Sequence, residues 1–295
     1  MPAPSPLPQP SLKKILAYMA QYNFKPRKKL GQNFLLDRNI KDIIVKSLNL
    51  EKEETLFEIG TGFGGLTLSL IPHVRHIFSI ENDIRLKPIL EEILAPYRDS
   101  VTVIYEDILT FDLVGFLRQK EQRGYHIEKL VGNLPYSISL PLLKKLMELK
   151  DGLKIAVVMV QKEVAERMLA NPGGKDYGLL SVITKYYTET EKIHRVKPNV
   201  FFPKPEVESM LLRMQFLPTP RIKVTDETLF FDIVKAIFRH RRKSLFNALK
   251  LYYGDSLSKE LLEVTLIQTG INPNQRGESL SLEELARLTA VLKEC

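Results

Sequence analysis

The sequence predicts an α/β domain built on a mostly parallel sheet, followed by a small all-α domain. Five short apolar runs between residues 55 and 160 are separated by segments with the 3.6-residue periodicity of amphipathic helices. Runs that are apolar on both faces are typical of strands in a parallel sheet with helices on both sides. After residue 221 the sequence contains only helical patterns.

The first 50 residues contain the signals for a tail and two helices. Five prolines among the first ten residues indicate a disordered or extended tail, to which we assign residues 1–12. Apolar residues recur at helical spacing over residues 11–22, and a basic loop follows. Asp37 is a suitable N-cap for a second helix that runs to about Leu48. We assign no function to residues 1–20.

An alternation of strands and helices fills the middle of the chain. The predicted strands are residues 55–59, 76–81, 101–107, 129–133 and 154–160, and the predicted helices are residues 64–71, 84–94, 139–149 and 161–169. Residues 207–216 predict a late strand at an antiparallel end of the same sheet. Two prolines near residue 218 end the α/β region, and predicted helices follow at 226–251, 255–269 and 281–293. We therefore predict an α/β domain over residues 13–217 and a helical domain over residues 218–295.

The positive charge of the chain is concentrated in two places. The net charge is +8, and residues 1–46 contribute +7 of it through nine Lys or Arg residues and two acids. A second basic cluster occupies residues 239–243. Clustered cations release counterions when they bind a polyanion, so the pattern favours a nucleic-acid partner that the helical domain also contacts. The alternative is a solvated basic surface that only improves solubility.

Composition disfavours several other classes of protein. No apolar stretch reaches the roughly 18 residues that a membrane-spanning helix needs, and the N-terminus lacks the pattern of a secretory signal. Cys295 is the single cysteine, so no disulfide can form within the chain and cysteine cannot build a metal site. We therefore predict a cytoplasmic protein without a metal cofactor, and a monomer by default because no segment indicates an obligate interface.

A glycine-rich turn follows the first predicted strand and begins a helix. Gly60, Gly62 and Gly64 allow a tight turn and let the backbone approach a ligand closely. Glu81 ends the second strand 21 residues after Gly60, the spacing at which an acid accepts hydrogen bonds from the ribose of an adenine nucleoside. Asp107 ends the third strand and suits an adenine edge. The pattern indicates a nucleoside-containing cofactor, and the absence of a GK[ST] ending disfavours nucleoside triphosphate hydrolysis.

Residues 132–136, at the end of the fourth strand, have the composition of a site for amine chemistry. The exocyclic amine of adenine is a poor nucleophile because its lone pair is delocalised into the ring. The side-chain oxygen of Asn133 and the carbonyl of Leu134 can accept both amine hydrogens and draw the nitrogen towards a tetrahedral geometry. Pro135 stiffens the turn, and Tyr136 can stack on an extruded base. Catalysis would then come from alignment and these acceptors, without a general base at the outset. The alternative is a simple strand-terminating turn.

With these motifs in order, the chain resembles the ribosomal-RNA adenine dimethyltransferases from about Lys28 to its C-terminus. The resemblance rests on KKLGQNFLLD (28–37), EIGTGFGGLT (58–67), END (81–83), Glu106-Asp107, GNLPYSIS (132–139), QKEVAERM (161–168), YGLLSV (177–182) and FFPKPEVES (201–209). It implies a Rossmann-like methyltransferase domain that consumes S-adenosylmethionine as the methyl donor.

The resemblance also implies a role for individual residues. The implied cofactor contacts are Asn33, Leu35, Gly60 beside the methionine part, Glu81 at the ribose, Asp107 at the adenine, and Asn133 between the cofactor and the target base. Tyr136 and an aromatic ring from FFPKP would sandwich that base. The family pattern F-x-P-x-P favours Phe201 as this ring, with Phe202 as the alternative. Thr61 replaces a proline that many relatives have, which predicts a slightly looser turn.

Two branches of this family act on different substrates. One dimethylates two adjacent adenines near the 3′ end of 16S rRNA during small-subunit assembly, and the other modifies a single adenine of 23S rRNA and confers macrolide resistance. Residues 238–249 and 274–288 are similar to the small-subunit branch, so the predicted partner is 16S rRNA within a precursor of the small ribosomal subunit. The cations that would then contact RNA phosphates in the helical domain are Arg239, Arg241, Arg242 and Lys243.

Three other functions share part of this pattern. An adenine-specific DNA methyltransferase would have the same amine-binding motif but would need a region that reads base edges, which the helical domain lacks. An NAD-dependent dehydrogenase would share the glycine turn and the acid but would not explain residues 133–136. A transcription or assembly factor of the same fold would not need methyl transfer, and degraded cofactor motifs would indicate it. Here Gly60, Glu81 and Asp107 are all present.

Overall fold

The structure, a computed structural model, describes most of the chain and divides it into two compact units. The described residues are 7–135, 138–149, 152–254 and 258–293. The first unit comprises residues 1–165 and 190–218, and the second comprises residues 166–189 and 219–295. None of the described helices combines the length and the apolar character that crossing a membrane requires.

One seven-stranded sheet organises the first unit. Its strands are β2 (Thr55–Ile59), β3 (His76–Ile80), β4 (Val101–Ile104), β5 (Ile127–Asn133), β6 (Ile155–Gln161), β7 (Thr188–Val196) and β9 (Ser209–Phe216). They lie in the order β4-β3-β2-β5-β6-β9-β7, and the five strands from β4 to β6 pair in parallel. Strand β9 pairs antiparallel with β6. The five predicted strands and the late antiparallel strand are therefore confirmed, whereas β7 was not predicted.

Helices and a small second ribbon accompany this sheet. The helices are α1 (Leu12–Gln21), α2 (Arg38–Leu48), α3 (Thr67–Leu70), α4 (Lys87–Leu94), α5 (Leu113–Glu121) and α6 (Ser139–Met147), and the ribbon pairs β1 (Phe34–Leu35) with β8 (Phe201–Phe202). The Asp37 carboxylate accepts a hydrogen bond from the backbone amide of Ile40 at 3.0 Å and caps α2. This N-cap satisfies one of the free amide groups of the first turn, as the sequence predicted.

The predicted disordered tail does not extend through residue 12. The side-chain amide of Gln9 donates to Ser69 Oγ at 2.6 Å, and Pro10 is buried. Ser11 caps α1, which begins at Leu12. The tail prediction rested on proline content, but these residues are ordered because they pack on the first unit. Residues 1–6 lie outside the described residues.

The second unit is built from helices within the described part of the chain. They are α8 (Leu179–Tyr187), α9 (Glu227–Arg239), α10 (Leu245–Tyr253), α11 (Lys259–Thr269) and α12 (Leu282–Lys293), and α7 (Lys162–Leu169) ends in it. Two hydroxyl groups of residues 166–189 are bound within this unit, since Tyr177 donates to the Leu280 carbonyl and Tyr187 donates to Glu227. Such long-range bonds explain why residues 166–189 join the helical unit, whereas the sequence indicated a single boundary after residue 217.

The predicted helix over residues 226–251 is two helices in the structure. Ser244 caps α10 by accepting from the backbone amide of Asn247, and it forms a β-bridge with Arg276. Arg241 donates to the Glu278 carboxylate and to the carbonyl of Gly174. These partners hold residues 240–244 away from helical geometry, and the sequence periodicity could not reveal them.

Glu58 in β2 gives the first unit a pH-dependent stability. Its Oε2 accepts hydrogen bonds from Thr67 and Ser79, whereas the buried Oε1 has no partner among the described residues. Burial raises the pKa of Glu58 to about 7, against the opposing effect of those two hydrogen bonds. The native chain therefore retains a proton that the unfolded chain releases, so stability falls as the pH rises from about 4.5 to about 7.

We expect the Glu58→Gln variant to be more heat-stable than the parent chain at pH 8. The amide keeps an oxygen for Thr67 and Ser79 but never carries the buried charge. Thermal unfolding at several pH values measures this, and the difference in Tm should shrink towards zero as the pH falls to about 4.5, where both side chains are neutral. A difference in Tm that does not depend on pH would contradict the raised pKa of Glu58.

Candidate active site

A cleft opens at the carboxyl ends of β2 and β5 in the first unit. Its atom-free space is about 840 Å³, including the open mouth. Three segments, residues 30–35, 60–63 and 133–135, line it together with Glu81. In the strand order, β3 and β5 lie on opposite sides of β2, so the cleft is at a topological switch point of the sheet. Ligands bind at such points in open α/β sheets.

The glycine turn after β2 forms the floor of this cleft. Gly60 and Gly62 have φ values of +86° and +55°, which only glycine adopts without strain. The Thr61 hydroxyl lies 2.7 Å from Ser79 Oγ, and both groups are buried. This bond fastens the turn to β3, and the slightly looser turn expected from the missing proline remains a prediction.

Glu81 faces the same turn from the end of β3. Its side chain is almost fully buried, at 8% exposure, and its two carboxylate oxygens accept the backbone amides of Gly62 and Asp83, each at 2.9 Å. Burial raises the pKa of Glu81, and these two amides act in the opposite direction. The carboxylate is thus held in a fixed orientation, and each oxygen can accept a further hydrogen bond from a ligand hydroxyl.

The tip of β5 is positioned by backbone bonds on two sides. Asn133 Nδ2 donates to the Asn33 carbonyl at 3.0 Å, and the Leu134 amide donates to the Met159 carbonyl at 3.0 Å. A Cβ atom at Gly132 would lie 3.1 Å from both the Cβ atom and the backbone oxygen of Ile59, so a larger residue would force neighbouring atoms to shift. The side chain of Asn133 is therefore held in a fixed orientation, and both Asn133 and Leu134 line the cleft.

These residues fit the adenosyl cofactor that the resemblance implies. A Cβ atom at Gly60 would lie 3.8 Å from the Asn133 carbonyl oxygen, so the missing side chain leaves space between the turn and the tip of β5. Asn33 and Leu35 line the cleft beside this space, and the Glu81 carboxylate supplies hydroxyl acceptors. The structure thus brings together Asn33, Leu35, Gly60, Glu81, Asn133, Leu134 and Pro135.

Two other predicted site residues do not line the cleft, and a third is not among the described residues. Asp107 is half-buried after β4 and does not line the cleft, and its carboxylate accepts the Leu109 amide at 2.9 Å. Phe201 is only 5% exposed and lies opposite Leu35 in the small ribbon, while the half-buried Phe202 lies opposite Phe34. Tyr136 lies outside the described residues. The roles of all three remain predictions.

Three residues that line the cleft were not predicted from the sequence. Pro10 and Ile15 line it, although residues 1–20 received no function. Gln32 also lines it and crosslinks two loops, since its Oε1 accepts the Arg27 amide and its Nε2 donates to Asp83, both at 2.8 Å. The apolar face of α1 was visible in the sequence, but its position at the cleft depends on tertiary packing.

We expect removal of residues 1–10 to weaken binding of S-adenosylhomocysteine. The truncated chain loses the apolar wall that Pro10 supplies but keeps Ser11 as the cap of α1. Losing one apolar contact of roughly 1 kcal/mol corresponds to a several-fold increase in Kd. Isothermal titration calorimetry measures it, with Leu12→Ala as the control because this side chain is exposed. An unchanged Kd would mean that the N-terminal segment does not contribute to the site.

Comparisons with known proteins show the family of this chain. The family model described as ribosomal RNA adenine dimethylase matches residues 23–294. Proteins named ribosomal RNA small subunit methyltransferase A are similar over nearly the whole length. The one from Clostridium botulinum is 42% identical over 269 residues, covering 91% of this chain and 94% of that protein. The one from Bacillus mycoides is 44% identical over 273 residues, covering 92% and 93%.

Solved structures share the fold. A dimethyladenosine transferase from Plasmodium falciparum superposes with a TM-score of 0.74 at 23% identity, covering 88% of this chain and 98% of that one. The 23S rRNA methyltransferase ErmE superposes with a TM-score of 0.65 at 24% identity, covering 88% and 100%. These likenesses confirm the predicted Rossmann-like methyltransferase fold with a helical C-terminal region.

Proposed function

The chain belongs to the ribosomal RNA adenine dimethylase family, and from this premise we propose that it methylates two adjacent adenines near the 3′ end of 16S rRNA. Its activity is S-adenosylmethionine-dependent dimethylation of adenine in ribosomal RNA. The small-subunit names of the relatives at 42% and 44% identity support 16S rRNA as the substrate. We further propose that the protein acts in the cytoplasm, as a monomer, on a precursor of the small subunit.

The observation that carries the proposal is the pair of acceptors at the tip of β5. Asn133 and Leu134 line the cleft together with the glycine turn and Glu81. We propose that the side-chain oxygen of Asn133 and the carbonyl oxygen of Leu134 face the ligand there. When bound, S-adenosylmethionine supplies an electrophilic methyl group on a sulfonium. The two acceptors orient the adenine amine and withdraw its hydrogens from the plane, which exposes the nitrogen lone pair to that methyl group.

The rigid support of these acceptors reduces the cost of alignment. The backbone amide of Leu134 donates to the Met159 carbonyl in β6, and the side-chain amide of Asn133 donates to the Asn33 carbonyl. The two residues are therefore already held in place before RNA binds. Pro135 continues the turn and lines the same cleft. We propose that Tyr136 and Phe201 stack on the extruded adenine, as the family pattern implies. We also propose that Asp107 binds the cofactor adenine.

Basic residues next to the cleft supply the RNA-binding surface in this proposal. Lys25, Arg27, Lys28 and Lys29 are all exposed. They immediately precede residues 30–35 of the cleft wall, so phosphates bound here would bring a neighbouring nucleotide to the site. Such contacts position an RNA without reading its sequence.

We expect charge reversal at these four positions to weaken RNA binding and to flatten its salt dependence. Each lost phosphate contact reduces the slope of log K against log salt by roughly 0.7 to 0.9. Fluorescence anisotropy at several salt concentrations measures the slope. Reversal at the exposed Lys52, Lys87, Lys192 and Lys259 is the matched control for net charge. An unaltered slope would favour a merely solvated basic surface.

In the second unit the basic cluster separates into two kinds of residue. Arg239, Arg242 and Lys243 are exposed, and we propose that they contact RNA phosphates. Arg241 is half-buried and bonded to Glu278 and to two backbone carbonyls, which makes it a structural residue. Removing it would take away the nearer of the two arginine partners of Glu278 and leave the ion pair with Arg276 at 3.8 Å.

The proposed function is tested with purified protein and tritiated S-adenosylmethionine. The substrates are small ribosomal subunits that lack adenine dimethylation, unmethylated 23S rRNA and duplex DNA. We expect label only in 16S rRNA, recovered as dimethyladenosine. Label in 23S rRNA would assign the protein to the resistance branch, and label in DNA would overturn the RNA assignment. Cofactor binding without transfer to any substrate would indicate an assembly factor instead.

A further inference from the structure

Lys41, in α2, is a buried cation that the proposed mechanism does not use. Its side chain is only 2% exposed, although lysine is rarely buried unless it is paired. Among the described residues, no hydrogen bond or ion pair reaches its ammonium group. An unpaired charge inside a protein is costly, so this ammonium group is suited to bind an anion.

The surroundings of Lys41 keep it cationic at neutral pH. Burial lowers the pKa of Lys41 to about 8, and the carboxylates of Asp37 and Asp42 oppose this decrease. Asp37 is already engaged as the N-cap of α2, and Asp42 is exposed. Neither carboxylate is bonded to the ammonium group, so the positive charge remains available to a ligand.

The ammonium group lies directly behind the wall of the cleft. Its Nζ is 3.5 Å from the position that a Cβ atom would occupy at Gly65, and the Leu35 carbonyl oxygen is 3.7 Å from the same point. Gly65 and Leu35 both line the cleft. The missing side chain of Gly65 therefore leaves a gap through which the flexible lysine stem can present its charge to a bound ligand.

We propose that Lys41 binds the carboxylate of the methionine part of the cofactor. This carboxylate is the one full negative charge of S-adenosylmethionine. The wall formed by Leu35 and Gly65 adjoins Gly60, where the methionine part is expected. A charge-assisted hydrogen bond would satisfy both groups. The inference rests on the proposed function, since it requires the cleft to hold this cofactor.

Two ligands separate this role from a general effect on the cleft. S-adenosylhomocysteine has the carboxylate, whereas 5′-methylthioadenosine keeps the nucleoside and the thioether but lacks the amino-acid group. We expect Lys41→Met to raise the Kd for S-adenosylhomocysteine about tenfold, the effect of one lost charge-assisted bond. The Kd for 5′-methylthioadenosine should stay within about twofold. Calorimetry measures both constants.

Two further variants complete the test. Gly65→Ala keeps the cation but fills the gap, so it should also weaken the binding of S-adenosylhomocysteine more than that of 5′-methylthioadenosine. Lys46→Met removes an exposed lysine from the same helix and should change neither Kd. The ligand-free Lys41→Met variant should also unfold at a higher temperature than the parent chain, because it no longer buries an unpaired charge.

The contrary outcomes are distinct. If Lys41→Met weakens the binding of both ligands equally, or lowers the Tm without a selective loss of S-adenosylhomocysteine binding, Lys41 only supports the fold. Either result would overturn the proposal. Unchanged binding of both ligands by Lys41→Met and Gly65→Ala would also overturn it. If the parent chain binds neither ligand, the cofactor assignment fails first, and the role of Lys41 fails with it.

Discussion

We expect the Asn133→Ala variant to lose at least about a hundredfold in kcat for methyl transfer to rRNA, the effect of removing one positioned group that acts on the reacting atoms. The substitution removes the side-chain acceptor for the adenine amine but leaves the Leu134 carbonyl in place. It also removes the hydrogen bond to the Asn33 carbonyl. Because that bond holds the cleft wall rather than the cofactor itself, the Kd for S-adenosylmethionine should change by no more than about threefold.

The test compares single-turnover rates with cofactor affinities from calorimetry. Asn199→Ala, at an exposed position outside the cleft, is the matched control and should retain the parental rate. A parental rate of methyl transfer by Asn133→Ala would contradict the proposed mechanism. An equal loss of rate and cofactor affinity would instead assign Asn133 to cofactor binding alone.

The second large effect is expected at Glu81. Hydrogen bonds to charged groups contribute about 1.5–3 kcal/mol, so Glu81→Ala should raise the Kd for S-adenosylmethionine roughly ten- to hundredfold. Part of this loss comes from the ribose hydroxyls. The rest comes from the turn itself. In the parent chain the Glu81 carboxylate accepts the backbone amide of Gly62 and so fixes the conformation of the turn, and the variant loses this hydrogen bond.

Glu106→Ala is the matched control for this prediction. Glu106 is an acid at the end of the next strand, but it is exposed and does not line the cleft. Its removal should leave the Kd unchanged, whereas Glu81→Gln, which keeps one oxygen, should be intermediate. If calorimetry gives the same Kd for Glu81→Ala and for the parent chain, the ribose assignment is wrong.

Much of the site follows from the ends of the predicted strands. Gly60, Glu81 and Asn133 each follow a buried apolar run, and the carboxyl ends of parallel strands meet at one edge of a sheet. The sequence therefore predicts that these three residues lie together, and all of them line the cleft. Asp37 was also predictable as a cap, because capping depends on residues only three positions apart.

The sequence by itself determined the alternation of strands and helices, the glycine turn and the pair of acceptors, since each depends on local spacing. The tertiary structure decided that Pro10 and Ile15 line the cleft, that residues 166–189 join the helical unit, and that Lys41 is buried. A proline-rich start and a lysine on a helix both predict exposure to solvent. Only the packing of segments distant in sequence sets their burial and their partners, and local patterns do not encode it.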